Sequence, residues 1–162
     1  MIICGIDPGI ARLGWGIIKE LHGQLTTVAY GCIETPKTHE TTKRLKYIHF
    51  KLQQLFKTHK PDAVAVEELF FATNAKTAIL VGEARGVILL SASLADIPTA
   101  SYTPLQVKQT MTGDGKADKI QVQRMVVLLL KLSQIPKPDD TADALAIALT
   151  HAYAHKLLSK TV

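Results

Sequence analysis

The period of the apolar residues changes once along the chain, and this change constrains the fold most. Up to about residue 35 the apolar segments are short and strand-like, and His22-Gly23-Gln24 has the composition of a hairpin turn. We therefore expect three neighbouring antiparallel strands at the start of the chain, over residues 2–6, 13–21 and 25–35. From Thr41 onward, helical and strand-like segments alternate.

The second part of the chain has the pattern of an α/β protein. Helices are predicted over 41–60, 74–94, 104–111, 117–132 and 141–158, with short strands at 63–66 and 98–103. This order predicts an α/β fold with a mixed five-stranded sheet flanked by helices. The length of 162 residues suits one domain over 1–162.

Two helices carry apolar or small-residue stripes. The predicted stripe of helix 117–132 consists of Ile120, Val122, Met125, Leu128, Leu129 and Leu132. In helix 74–94, Ala78, Gly82 and Gly86 lie four residues apart and form a ridge that would let another helix approach closely. Core packing explains this ridge about as well as a subunit interface does.

Composition excludes several classes of protein. With 47% hydrophobic and 20% charged residues, the chain is neither disordered nor collagen-like. Cys4 and Cys32 form no CxxC pair, so we expect reduced, buried thiols. The longest apolar stretch, 78–95, is interrupted by Glu83 and Arg85, and no signal-peptide pattern is found. We therefore expect a cytoplasmic protein that does not interact with a membrane.

The positive charge is concentrated in two places. The formal net charge is +5, and the segment 37–60 contains seven basic residues against one acid, Glu40. Lys108, Lys116, Lys119 and Arg124 form a second basic set. This distribution favours a phosphate-rich partner such as nucleic acid, although a basic helix face often serves only solubility.

Acidic residues end two of the predicted strands and begin the last helix. Asp7 directly follows a buried strand, Glu67 ends the strand 63–66, and Asp140 and Asp143 share one helix face. If the first and fourth strands are parallel neighbours, Asp7 and Glu67 lie at the same rim of the sheet. Other interpretations remain open: Asp7 could bond turn amides, Glu68 could point inward instead of Glu67, and Asp140 could be a simple helix cap.

Taken together, these acids indicate a metal-dependent nuclease. Several carboxylates in one place repel each other unless cations lie between them. An oxygen-only set of ligands suits Mg²⁺, with Mn²⁺ as an alternative, better than zinc. Two such ions about 4 Å apart would suit a phosphodiester displacement. Carboxylates for metals beside a basic surface for phosphates favour nuclease chemistry.

Four segments in this order resemble the RuvC family, the bacterial crossover (Holliday) junction endodeoxyribonucleases. They are Gly5-Ile6-Asp7-Pro8-Gly9, Val66-Glu67-Glu68-Leu69-Phe70, Gln106-Val107-Lys108-Gln109-Thr110 and Asp140-Thr141-Ala142-Asp143-Ala144-Leu145-Ala146-Ile147-Ala148. The resemblance implies a ribonuclease-H-like fold, a homodimer and Mg²⁺-dependent, paired, symmetric nicking of four-way DNA junctions, which leaves 5′-phosphate ends. It also implies a place in homologous recombination and DNA repair, together with the RuvA and RuvB branch-migration proteins.

The resemblance also assigns roles to individual residues. Those that correspond to the catalytic, metal-binding acids are Asp7, Glu67, Asp140 and Asp143. Lys108 and Lys119 resemble the family's basic residues near the scissile phosphate. Phe70 resembles the aromatic residue that contacts bases at the junction centre, and Phe71 is an alternative for it.

Three other functions share parts of this pattern. An actin-like or sugar-kinase ATPase would need two subdomains around a nucleotide, and 162 residues suffice for one. A junction-binding protein without activity would not need a complete set of acids. Another ribonuclease-H-like nuclease, with a different nucleic-acid substrate, is the main alternative.

Overall fold

The computed structural model of the chain describes residues 1–68 and 75–158. Within these ranges the strands are β1 (Ile2–Asp7), β2 (Arg12–Leu21), β3 (Gln24–Glu34), β4 (Ala63–Glu67) and β5 (Thr99–Tyr102). The helices are α1 (Thr41–His59), α2 (Ala75–Ser93), α3 (Pro104–Thr112), α4 (Lys119–Leu130) and α5 (Asp139–Leu158). The predicted elements are confirmed, and their ends differ from the prediction by one or two residues.

The five strands form one mixed sheet in the order β3-β2-β1-β4-β5. The pairs β3–β2 and β2–β1 are antiparallel, whereas β1–β4 and β4–β5 are parallel. Both β1 and β4 therefore finish at the same end of the sheet, which we call the carboxyl end. The prediction of three neighbouring antiparallel strands is confirmed, as is the mixed five-stranded sheet.

Helix α5 lies directly against one face of the sheet. A Cβ atom at Gly5 of β1 would collide with the carbonyl oxygen of Ala144, and one at Gly14 of β2 with that of Asp140. Only glycine permits such a close approach of helix and strand backbones. These two contacts fix the first turns of α5 above the carboxyl end of the sheet. Helices α3 and α4 then pack against α5.

Helices α1 and α2 cover the opposite face. The predicted apolar side of α1 is confirmed, because Ile48, Leu52 and Phe56 are buried. They pack with Ile6 of β1, Val66 of β4 and other apolar side chains in one cluster. No helix in the described ranges has both the length and the apolar character needed to cross a bilayer.

The predicted apolar stripe of α4 is partly wrong. Ile120 is 54% exposed and Leu128 is 68% exposed. The buried side of the helix consists of Val122, Gln123, Val126 and Leu130. Ile120 lies two residues before Val122, which is about 200° around a helix, so the two cannot face the same core. The packing of α4 against α3 and α5 selects the buried side, whereas periodicity alone allowed both.

Candidate active site

Strand alternation and the start of α5 place the predicted acids around one point. Asp7 follows Gly5 by two residues and Glu67 follows Ala65 by two, so both side chains leave the sheet on the α5 side. Asp140 and Asp143 lie in the first turns of α5, directly above this end of the sheet. β4 ends at Glu67, whose side chain is half-buried, whereas Glu68 is exposed. The alternative that Glu68 points inward is therefore wrong.

The pKa values of Asp7, Glu67 and Asp143 are raised because these side chains are largely shielded from solvent and lie near other carboxylates. Burial, followed by the charges of Glu67, Asp143 and Asp140, raises the pKa of Asp7 to about 8. Burial and the charge of Asp143 raise the pKa of Glu67 to about 7, against the opposing effect of Lys119 and Lys108. Burial also raises the pKa of Asp143. Strongly perturbed carboxyls at one end of a sheet are typical of a functional site.

Two cations contact the acids of α5. Lys119, the first residue of α4, places its Nζ 2.7 Å from Oδ2 of Asp143 and 3.9 Å from Oδ2 of Asp139. Arg12, the first residue of β2, places its Nε 3.3 Å from Oδ2 of Asp140. The hydrogen bond and the charge of Asp143 raise the pKa of Lys119, although burial lowers it. In the absence of another cation, Lys119 and Arg12 therefore partly neutralise the cluster.

Four of the predicted residues also share a cavity of about 200 Å³. Glu67, Asp143, Lys108 and Lys119 line it, together with apolar side chains of α3, α4 and α5. Lys108 is held in α3, whose start is fixed by a capping box between Thr103 and Gln106. The structure thus brings together an acidic and a basic set that lie far apart in the sequence.

Asp140 is not a simple cap, because α5 already begins at Asp139, which is more exposed and binds Nζ of Lys137 at 2.6 Å. Phe70 and its alternative Phe71 lie outside the described residues.

Sequence reasoning missed Arg12, although its position soon after the Asp7-Pro8-Gly9 turn placed it near Asp7.

The acidic cluster fits a hard divalent cation by its chemistry. All four predicted ligands are carboxylates, and the buried Oδ2 of Asp140 has Arg12 as an ion-pair partner but accepts no hydrogen bond from any described residue. As they stand within residues 1–68 and 75–158, no three His, Cys, Asp or Glu side chains are arranged so that they could hold a metal ion. Lys119 occupies the position beside Asp143, so binding of a cation would require this ion pair to rearrange.

Comparison with known proteins identifies the family. The family model of crossover junction endodeoxyribonuclease RuvC matches residues 3–151. The chain is also 54% identical, over 153 residues, to the crossover junction endodeoxyribonuclease RuvC of Alkaliphilus oremlandii. The aligned region covers 94% of this chain and 93% of that protein. The chain belongs to the RuvC family. The resemblance inferred from the four sequence motifs is confirmed.

Solved structures of the RuvC family agree with this fold. The Thermus thermophilus RuvC structure has a TM-score of 0.89 and 38% sequence identity, covering 97% of this chain and 96% of that one. A second structure, of T. thermophilus RuvC in complex with a Holliday junction substrate, also has a TM-score of 0.89, with 35% identity and the same coverage. The predicted ribonuclease-H-like fold is confirmed.

Proposed function

We propose that this chain is a crossover junction endodeoxyribonuclease, which cuts four-way DNA junctions in recombination and repair. The observation that carries the proposal is the cluster of Asp7, Glu67, Asp140 and Asp143 beside Lys108 and Lys119, in a chain of the RuvC family. The whole chain, residues 1–162, acts as one nuclease domain.

The four acids would hold the cations that the reaction requires. RuvC-family enzymes are metal-dependent nucleases, and the carboxylate-only ligand set favours Mg²⁺, with Mn²⁺ as a substitute and two ions per site. When bound, such ions lower the pKa of an attacking water and neutralise charge on the phosphate. Because Asp7 and Glu67 have raised pKa values, cation binding releases protons from them near neutral pH.

The basic residues act on the phosphate. Lys119 and Lys108 line the same cavity as Glu67 and Asp143, so a phosphodiester at the acids lies within their electrostatic reach. Water adds to the phosphorus and the bond to the 3′-oxygen breaks, which leaves a 3′-hydroxyl and a 5′-phosphate. Phe70 contacts bases at the junction centre, as the family motif implies; it lies outside the described residues, so this role rests on the motif alone.

A homodimer would supply the second cut. Exposed apolar side chains lie along one side of α2, where Ile79 is 63% exposed and Leu90 is 55% exposed. Gly86 lies between them on the exposed surface, and a Cβ at Gly86 would have no neighbour within 4 Å among the described residues. The small-residue ridge therefore favours a subunit interface over core packing, since the buried residues of α2 include Ala84, Ile88 and Ala92. A two-fold dimer would match the symmetry of a junction.

RuvA and RuvB are the expected partners, because the family resemblance implies them. The cytoplasmic location inferred from the sequence likewise stays a prediction.

Cleavage of a synthetic four-way junction, mapped on all four strands, tests the proposed function. We expect paired, symmetric nicks with Mg²⁺ or Mn²⁺ and none with EDTA. Asp7→Asn should abolish cleavage and retain junction binding. Sedimentation of the free protein should give a dimer. Nicks that are random and unpaired, or full activity of Asp7→Asn, would contradict the proposal. Preferred cleavage of an RNA–DNA hybrid would instead support the alternative, a ribonuclease-H-like nuclease with another substrate.

A further inference from the structure

Arg85 of α2 reaches the ends of two strands at the carboxyl end of the sheet. Its Nη2 donates a hydrogen bond to Oγ of Ser101 in β5 at 2.8 Å, and its Nε donates to the backbone carbonyl of Glu67 at 3.3 Å. The Arg85 side chain is half-buried. A single guanidinium therefore connects α2, β4 and β5 immediately beneath the acidic cluster.

These bonds fix the peptide group that follows Glu67. The carbonyl of this group accepts from Arg85, and its N–H, which belongs to Glu68, donates to the carbonyl of Tyr102 at 2.8 Å. On the side of β4 that faces β1, the β1–β4 hydrogen bonding cannot continue past Asp7. The residue that follows β1 is Pro8, which has no N–H to donate. With both polar groups of the peptide bonded, its plane cannot rotate, and the direction of the Glu67 side chain is restricted.

The charge of Arg85 lies on the opposite side of the sheet from the carboxylates. Ser101 pairs with Val66, and Val66 belongs to the core under α1 and α2. Side chains of directly paired residues leave the sheet on the same face, so Arg85 approaches from that side. Glu67, one residue further along, faces α5. Arg85 therefore affects Glu67 through the backbone, which is a different role from that of Lys119 in the cavity.

We infer that Arg85 is a positioning residue for Glu67, and this inference rests on the proposed function. By holding the 67–68 peptide, Arg85 keeps the Glu67 carboxylate directed toward Asp7 and Asp143. The segment 69–74, which contains Phe70, begins directly after this fixed peptide. A lysine at position 85 cannot replace the arginine, because it has one nitrogen and cannot donate to both oxygens in the same geometry.

Two pairs of variants test the inference. Arg85→Lys keeps the positive charge but loses the two guanidinium nitrogens that donate to separate oxygens. Ser101→Ala removes the hydroxyl that accepts from Nη2. Ser101→Thr keeps a hydroxyl, so we expect this variant to cleave at the wild-type rate. Lys19→Arg, on β2 near the amino end of β1, is a matched control for the exchange of one basic side chain for another far from the site. We expect Arg85→Lys and Ser101→Ala to lower the single-turnover cleavage rate about 10- to 100-fold, since small misplacements near reacting groups have effects of this size.

Two further measurements separate positioning from folding and from DNA contact. Junction affinity without metal should stay within about twofold of wild type, because Arg85 is bonded to Glu67 and Ser101 and approaches from the opposite side of the sheet from the carboxylates. Affinity for Mn²⁺ without DNA, followed by electron paramagnetic resonance, should fall in both variants and recover in Ser101→Thr. If Arg85→Lys does not fold, the comparison of Ser101→Ala with Ser101→Thr still tests the inference, because these two variants differ in whether the hydroxyl is present.

The inference would be overturned by wild-type rates and Mn²⁺ affinities in both Arg85→Lys and Ser101→Ala, or by a loss of junction affinity that accounts for the lower rate. A wild-type protein without junction cleavage would refute the proposed function instead. In that case the Mn²⁺ titration still decides on Arg85, because equal affinities of wild type and Ser101→Ala would contradict the positioning role.

Discussion

The two ends of β4 each carry an acid, and the surroundings of the two carboxylates differ. Asp62, just before the strand, is exposed, and its Oδ2 accepts the backbone N–H of Ile2 at 2.6 Å. Glu67, the last residue of the strand, is half-buried and repelled by Asp143, which helps to raise its pKa to about 7. Asp62 completes the backbone hydrogen bonding of β1, whereas Glu67 stands among like charges.

Cavity size does not distinguish these two ends. A cavity of about 610 Å³ lies beside Asp62, lined by Lys57, Lys60 and Pro61 among others, whereas the cavity beside Glu67 is only about 200 Å³. The smaller cavity is the one lined by two half-buried, mutually repelling carboxylates, Glu67 and Asp143, and by two lysines. The density of perturbed charge, rather than volume, therefore marks the candidate active site.

The largest expected effect on the cleavage rate comes from neutralising the acids at the two ends of β4, one at a time. Glu67→Gln should lower junction cleavage by about 10³-fold or more, because removing a charged group that acts directly in the reaction has effects of this order. Asp62→Asn should leave the cleavage rate unchanged and lower stability by about 1 kcal/mol through a weaker hydrogen bond to Ile2. Single-turnover cleavage and urea unfolding measure the two effects, and similar rate losses in both variants would abolish the distinction.

A smaller effect is expected from the cation beside Asp143. Lys119→Met should lower the cleavage rate about 10²-fold, since removing one donor to a developing charge has effects of this size. Lys19→Met removes the same charge from β2, at the far end of β1 from Asp7, and serves as the control. The cleavage rate is measured with enough protein to saturate the junction, so that a change in junction affinity does not affect it. A Lys119→Met enzyme that differs from wild type only in junction affinity would contradict a role at the phosphate.

The smallest effect concerns stability and pH. The pKa of Asp7 rises from 3.8 to about 8 on folding and that of Glu67 from 4.5 to about 7. Between these values the folded protein retains protons that the unfolded chain releases, so the stability of the metal-free protein should fall as pH increases from about 5 to about 8. Thermal unfolding in EDTA measures this slope.

Two comparisons check that the acidic cluster causes the slope. Asp7→Asn should flatten it, because asparagine does not titrate, and Asp62→Asn should not. Added Mg²⁺ should raise Tm more at about pH 8 than at about pH 5, since cation binding competes with protons. A slope that is unchanged in Asp7→Asn would assign the pH dependence to other groups.

Much of the fold and most of the candidate site could be predicted from local patterns. The turn residues after Ile6 and at His22-Gly23-Gln24 define the first strands, and four motifs identify the acids and Lys108. Arg12 and Arg85 were not predicted as functional, because each acts on a residue distant in sequence: Arg12 on Asp140 at 3.3 Å, and Arg85 on the carbonyl of Glu67. The exposure of Ile120 was missed for a similar reason, since periodicity does not specify which neighbours a helix meets.

The order of the elements, the family and the candidate acids follow from local properties of the chain, namely strand alternation, turn residues and motif spacing. The parallel pairing of β1 with β4 is a property of the folded chain, and so is the close approach of α5 to Gly5 and Gly14 that brings Asp140 and Asp143 over Asp7. The raised pKa values of Asp7, Glu67 and Asp143 also arise only in the folded chain. Burial and repulsion depend on distances across the fold, and these are set by packing between residues more than 50 positions apart.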